Sequence, residues 1–195
     1  RIDSSGNVLI GQSSSTNPGQ GNSTTGICLN GSSGPRIHCS RDAAASLLLN
    51  RGSNAGDLAI FYFGGVQKGK ISIDSSAVAY NTSSDYRLKE NVVALTDGIT
   101  RLKTLKPSRF NFIADATKTV DGFLAHEVTA VPEAITGTKD QVATSDDVND
   151  EIKEGDPIYQ GIDQSKLVPL LTAALQEAIA KIEILETKVA ALEAG

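Results

Sequence analysis

Methionine and tryptophan are absent from this 195-residue chain, cysteine and histidine occur twice each, and aromatic residues amount to 5%. Two cysteines, Cys28 and Cys39, cannot build a disulfide framework, and without a second pair they make no zinc pattern. They are expected as buried free thiols. No apolar run nears the roughly 18 residues that a membrane-crossing helix needs, so no membrane span is expected. Basic residues are outnumbered, 18 Lys and Arg against 23 Asp and Glu, and the net charge of −5 argues against a nucleic-acid surface. There is no phosphate-binding glycine loop, no dinucleotide glycine fingerprint and no G-x-S-x-G elbow, and no cofactor is expected. The chain opens on Arg1 inside a stretch that reads as a strand, so a fragment of a longer protein is expected. Charged residues at 21% and hydrophobic residues at 39% nevertheless suit a folded chain rather than a disordered one.

What is present is unevenly divided. Residues 1–83 hold 12 glycines, 15 serines and a net charge of +2, whereas the remaining 112 carry 31 charges and a net −7. A boundary near residue 83 follows. The first part reads as short strands at 7–11, 26–30, 36–40, 46–50, 58–63, 70–74 and 77–80, separated by Gly, Ser and Asn clusters of turn type. Gly64-Gly65 and Lys68-Gly69 punctuate a hairpin after the apolar run Ala59-Ile60-Phe61-Tyr62-Phe63. Ile2-Asp3-Ser4-Ser5 returns as Ile73-Asp74-Ser75-Ser76, an internal echo. So few large side chains stand against a backbone ordering cost of roughly 1–2 kcal/mol per residue. Runs such as Leu47-Leu48-Leu49 lack strict alternation and suit strands covered on both faces. Both features favour intertwining with further copies of the chain, with a small monomeric β-sandwich as the alternative.

In the second part, Thr96 is placed to cap a helix running to about Leu105, with Ile99, Leu102 and Leu105 on one face and Pro107 ending it. Residues 109–113 read as a strand, 115–121 as a loop, and 122–125 as a short strand before a brief helix at 127–131 closed by Pro132. Residues 134–159 are acidic and sparsely apolar, with Asp146, Asp147, Asp150, Glu151, Glu154 and Asp156, and read as a solvated excursion. The spacing does not fit an EF-hand, and no metal site is expected.

The strongest periodic signal is at the end. Leu171, Leu175, Ala178, Ile182, Leu185, Val189 and Leu192 recur at alternating steps of four and three, a heptad seam. Leu175, Ile182 and Val189 take one core position, and Leu171, Ala178, Leu185 and Leu192 the other. The seam points to an oligomer, and the alternative is an amphipathic helix packed on its own domain. Pro169 must sit in the first helical turn or kink the helix.

Catalytic residue types are few. His38 falls among short strands and His126 precedes Glu127, and a lone histidine in such a setting is ordinarily a packed or hydrogen-bonded residue. Ser84 and Lys89, five residues apart, suit a nucleophile and its base, provided burial lets the lysine give up its proton. The spacing alone does not distinguish them from any other Ser and Lys.

The segment Ser84-Asp85-Tyr86-Arg87-Leu88-Lys89-Glu90-Asn91-Val92 resembles the opening motif of the peptidase S74 family, the C-terminal intramolecular chaperones of bacteriophage tail fibres, tail spikes and endosialidases. The resemblance continues through Gly122-Phe123-Leu124-Ala125-His126-Glu127-Val128 and Tyr159-Gln160-Gly161-Ile162-Asp163, and on through Ser165-Lys166-Leu167-Val168-Pro169-Leu170-Leu171 into the heptads. The glycine- and serine-rich strands resemble the end of a tail-fibre shaft.

The resemblance implies a mixed fold. Residues 1–83 would be an all-β intertwined trimeric shaft segment, and residues 84–195 an α+β chaperone with a trimeric coiled-coil helix at about 165–194. It implies a homotrimer that folds the shaft of the same chain and then cuts itself off at Ser83–Ser84. Ser84 would be the nucleophile and Lys89 its base, with Asp85, Arg87 and His126 as supporting residues and no metal. The implied setting is a virion tail fibre assembled in the bacterial cytoplasm, whose released fibre meets a host receptor. Two other readings remain: a trimerisation tip that stays attached to a receptor-binding fibre, and the same module borrowed by a cellular protein.

Overall fold

The computed structural model describes residues 2–12, 18, 23–30, 36–148 and 152–195. Arg1, at the start of the chain, and Asp150 and Glu151 of the acidic 134–159 segment lie outside the described residues. The chain divides into two compact units, residues 1–90 and 91–195.

The first unit carries two antiparallel three-stranded meanders. β1 (Val8–Ile10), β2 (Gly26–Asn30) and β3 (Arg36–Ser40) pair in that order. Leu9 stands opposite Cys28, and both are buried. Cys28 also faces His38, while Cys39 faces Ile27. Successive strand residues point to opposite faces, so the two thiols lie on opposite sides of the sheet. Both are free; Cys28 is buried as expected, whereas Cys39 is half-buried. Burial, with a smaller push from the charge of Asp3, raises the Cys28 thiol pKa. His38 is half-buried, and its buried Nε2 has no hydrogen-bond partner among the described residues.

The second meander comprises β4 (Gly56–Phe63), β5 (Val66–Ile73) and β6 (Val78–Thr82). Gly64 and Gly65, at φ 57° and 77°, make the two-residue turn between Phe63 and Val66. Two left-handed residues match the twist of a tight hairpin and favour glycine at both. Lys68-Gly69 is not a turn. It lies inside β5, where pairing steps from Phe61↔Gly69 to Tyr62↔Gln67 and leaves Lys68 as a bulge. The 46–50 strand is absent as well: Leu47, Leu48 and Leu49 are exposed and outside any element. Without a neighbouring strand, its backbone has no ladder to join.

The sequence echo has a structural counterpart. Asp74 accepts the Ser76 and Ala77 N–H groups and closes the turn where Ile73 pairs with Val78. Asp3 accepts the Ser5 and Asn7 N–H groups where Ile2 bridges to Val8. The side chains along β4 and β6 find little cover: Phe61, Tyr62, Phe63 at 78% and Tyr80 at 80% are exposed. Phe61 and Tyr62 are neighbours on one strand, so apolar surface is bare on both faces.

The second unit begins with α1 (Gly98–Leu102), followed by the hairpin β7 (Ser108–Phe112) and β8 (Asp115–Gly122). The expected loop at 115–121 is therefore a strand, held by the cross-strand pair Arg109–Asp121 at 2.7 Å. The expected strand at 122–125 and helix at 127–131 give way to 3-10 turns at Ala125–Glu127 and Pro132–Ala134. Pro132 opens the second turn rather than closing a helix, because its fixed φ suits a first helical position. β9 (Ile135–Thr136) pairs with β10 (Gly161–Ile162), and a 3-10 turn at Gln164–Leu167 leads into α2 (Val168–Glu193). Pro169 sits in the first turn of α2.

The core of this unit is Val128, Val131, Ala134, Leu167 and Leu170, with Leu105, Phe123, Ile135 and Ile162 packed against it. α1 crosses α2 at closest approach through Gly98, where an added Cβ would fall 2.5 Å from the Ala174 backbone nitrogen. Thr96 does not cap α1. The cap residue is Asp97, without a side-chain cap bond, and Glu177 of α2 accepts the N–H groups of Gly98 and Ile99 instead. The 134–159 segment is more ordered than a solvated excursion: Ala143 is buried and bonds backbone to Asp156 and Gly155.

α2 has two faces. Leu170, Ala173 and Ala174 are buried within the unit, while Leu171, Leu175, Ile182, Leu185, Val189 and Leu192 are exposed. The packed-helix reading thus holds for the face of Leu170, Ala173 and Ala174, and the other face leaves these seam residues without cover from the described residues.

Candidate functional site

β6 ends at Thr82, and Ser83 and Ser84 continue the chain outside any element. Asp85 keeps extended dihedrals, φ −63° and ψ 135°, and caps a 3-10 turn at Tyr86–Leu88. Its carboxylate accepts the Arg87 N–H at 2.9 Å. The turn is closed by Leu88 N–H to the Asp85 carbonyl and Lys89 N–H to the Tyr86 carbonyl, each at 3.1 Å. A 3-10 turn advances about 2 Å per residue against about 3.3 Å in a strand, which keeps Lys89 within side-chain reach of the residue before the cap. Lys89 Nζ donates to Ser84 Oγ at 2.8 Å.

Arg87 fastens the same turn from its side chain. Nε and Nη2 donate to the two carboxylate oxygens of Asp85 at 2.9 and 2.7 Å, a fork-to-fork pair. The hydrogen bonds from Arg87, side chain first and backbone second, hold the Asp85 carboxyl below the usual carboxylate range, and the charge of Lys89 adds a small push the same way. The same pair raises the Arg87 pKa.

Residues 81–90 are exposed throughout. An ammonium is a donor only, and a lysine serves as base near neutral pH once it is desolvated. Ser84 and Lys89 are therefore within hydrogen-bond distance while both still face water.

Ser84 with Lys89 and Asp85 with Arg87 are brought together as two interlocked pairs. His126 belongs to the second unit, exposed in the 125–127 turn, on a groove of about 550 Å³ that Phe110, Phe112, Phe123 and Tyr159 also line. The cap by Asp85 went unread in the sequence, although Asp just before a turn of good helix formers is the usual N-cap signal. Glu177 carried no such signal, because its partners are 79 and 78 residues distant.

Of the acidic residues at 146–156, Asp147 binds the Thr144 N–H and hydroxyl and Asp156 the Lys153 N–H. Among the described residues, no group of three or more His, Cys, Asp or Glu is placed to hold a metal ion. No described helix is long and apolar enough to cross a membrane.

Residues 84–136 match the Peptidase_S74 family, described as the chaperone of endosialidase. The match opens on Ser84, the residue that Lys89 contacts, and the family expected from the motif is the family found. No curated protein matches the chain.

Proposed function

We propose that this chain, whose residues 84–136 are of the chaperone-of-endosialidase family, is the C-terminal part of a trimeric phage tail fibre or spike that cleaves itself once. In this reading residues 1–83 are the end of the shaft and residues 84–195 the chaperone that brings three shafts into register. The partners are two further copies of the chain and its own upstream shaft. The released fibre stays with the virion and meets the host receptor. The bare apolar faces of β4 to β6 and the exposed seam of α2 support assembly with other copies. A three-stranded sheet open on both faces gains cohesion when a second layer covers it.

The contact between Lys89 Nζ and Ser84 Oγ carries the cleavage reading. Ser84 Oγ attacks the carbonyl carbon of Ser83 while Lys89, neutral once covered, takes the hydroxyl proton. The Ser83–Ser84 C–N bond breaks, the proton passes to the new Ser84 amine, and an ester joins the two pieces. Water then hydrolyses the ester. Holding nucleophile and target in one chain is worth about 7–11 kcal/mol of barrier when the geometry is right. Because Lys89 is exposed in the single chain, desolvation by neighbouring copies would couple cleavage to assembly.

A denaturing gel of the purified protein, paired with native mass, tests this. The wild-type chain is expected to give two bands, and Ser84→Ala and Lys89→Ala a full-length trimer with one. Loss of a nucleophile or its base lowers the rate by orders of magnitude, beyond any stability effect. Normal processing in either variant would overturn the assignment, and a single wild-type band would favour the attached tip.

A further inference from the structure

We infer that Asp85 and Arg87 are a positioning pair, whose joint task is to hold the 86–88 turn so that Lys89 meets Ser84. This rests on the self-cleavage reading above. Asp85 directs its carboxylate at Arg87 through three bonds, from the backbone N–H, Nε and Nη2. Its carbonyl accepts Leu88 N–H. No bond joins Asp85 to Ser84 or Lys89 among the contacts of the described residues. The carboxylate is thus occupied by the turn and not aimed at the reacting atoms.

Each partner does something the other cannot. Asp85 supplies the cap that starts the turn. Arg87 is the second residue of that turn, and its fork fixes the carboxylate plane on which the cap depends. Lys cannot reproduce a two-point fork. The Asp85 and Arg87 side chains are 40% and 74% exposed, and exposed pairs contribute little to global stability. Their effect is expected in geometry, where a displacement of about 1 Å can cost on the order of 100-fold in rate.

The test compares Asp85→Ala, Asp85→Asn and Arg87→Lys in the full chain, with trimer mass and thermal midpoint as folding controls. Cleavage rates are read from denaturing gels. Asn caps as well as Asp but offers the fork one acceptor instead of two, so Asp85→Asn and Arg87→Lys, which each keep the cap and lose the fork, are expected about tenfold slower than wild type, and Asp85→Ala about 100-fold slower. In parallel, amide exchange at Leu88 and Lys89 is followed in an uncleavable Ser84→Ala background. It should speed up with Asp85→Ala and recover with Asp85→Asn. Asp85→Asn as slow as Asp85→Ala, with the turn still protected, would assign Asp85 a chemical role and overturn the inference. Unchanged exchange in Asp85→Ala would also overturn it. A wild-type chain that never cleaves would reject the self-cleavage reading, while the exchange comparison would still decide whether the pair orders the turn.

Discussion

The Glu177 carboxylate closes the N-terminus of α1 by accepting the Gly98 N–H, a bond that spans 79 residues of chain. It also accepts the Ile99 N–H at 3.2 Å. One residue of the C-terminal helix thereby does the work usually done by a local cap, and a negative charge is favourable at a helix N-terminus. The backbone of α1 can come this close because residue 98 has no side chain.

Replacing Glu177 with Ala should lower the stability of the second unit by about 1 kcal/mol, the usual worth of a lost cap. Glu177→Gln should retain part of it. Gly98→Ala should cost about 1–3 kcal/mol, because the new methyl meets backbone rather than a movable side chain. Thermal melts of the three variants check the ranking.

The two faces of α2 should separate folding from assembly. Leu170→Ala removes a fully buried side chain and should cost about 2–5 kcal/mol. Ile182→Asp together with Leu185→Asp, both at exposed positions, should leave the unit folded and abolish the proposed trimer, as read by native mass. Trimers that persist with both charges in place would show that the seam is not the contact.

Lys89→Arg should keep a positive donor in reach of Ser84 and still fail to cleave. A guanidinium cannot surrender its proton at accessible pH. Trimer mass at wild-type yield with a single gel band is the expected result, and it separates proton transfer from simple placement.

Acid should destabilise the protein through several carboxylates at once. Hydrogen bonds from Ser76 and Ala77 hold Asp74 below the usual carboxylate range, and Arg87, Arg109, Thr144 and Ser165 do the same for Asp85, Asp121, Asp147 and Asp163. A depressed native pKa means that the unfolded chain binds more protons between the two values, so stability is present above the ordinary carboxylate pKa of about 4 and is lost below it. The melting midpoint is expected to be flat from pH 5 to 7 as far as these groups govern it, and to fall as pH drops through about 4. Asp121→Asn should be less stable than wild type near neutrality and converge with it in acid.

Thiol labelling should find Cys39 before Cys28. Cys28 is fully buried, and its burial also disfavours the reactive thiolate. Their placement on opposite faces of the first sheet predicts no internal disulfide after mild oxidation, as read by mass.

Local chemistry made much of this protein legible from its sequence. β2 and β3 have the bounds that the sequence predicts: turn-forming residues mark them, with Gly26 and Asn30 at the ends of β2, and Pro35 before and Ser40 at the end of β3. Gly64-Gly65 announced its hairpin, Pro169 its helical first turn, and the nine-residue motif opens the 84–136 segment that matches the Peptidase_S74 family. In each case the deciding interactions lie within a few residues.

Tertiary structure decided what depends on distant partners. The 115–121 segment reads as a loop from its Asp and Thr content and becomes β8 because β7 offers a ladder and Arg109 pairs with Asp121. Leu47-Leu48-Leu49 reads as a strand and is not one, since apolar side chains alone do not supply backbone partners. Sequence set Ser84 and Lys89 five residues apart; only the folded turn, capped by Asp85, sets Lys89 Nζ at 2.8 Å from Ser84 Oγ. Spacing along a chain limits which groups can meet, whereas three-dimensional hydrogen bonding selects the ones that do.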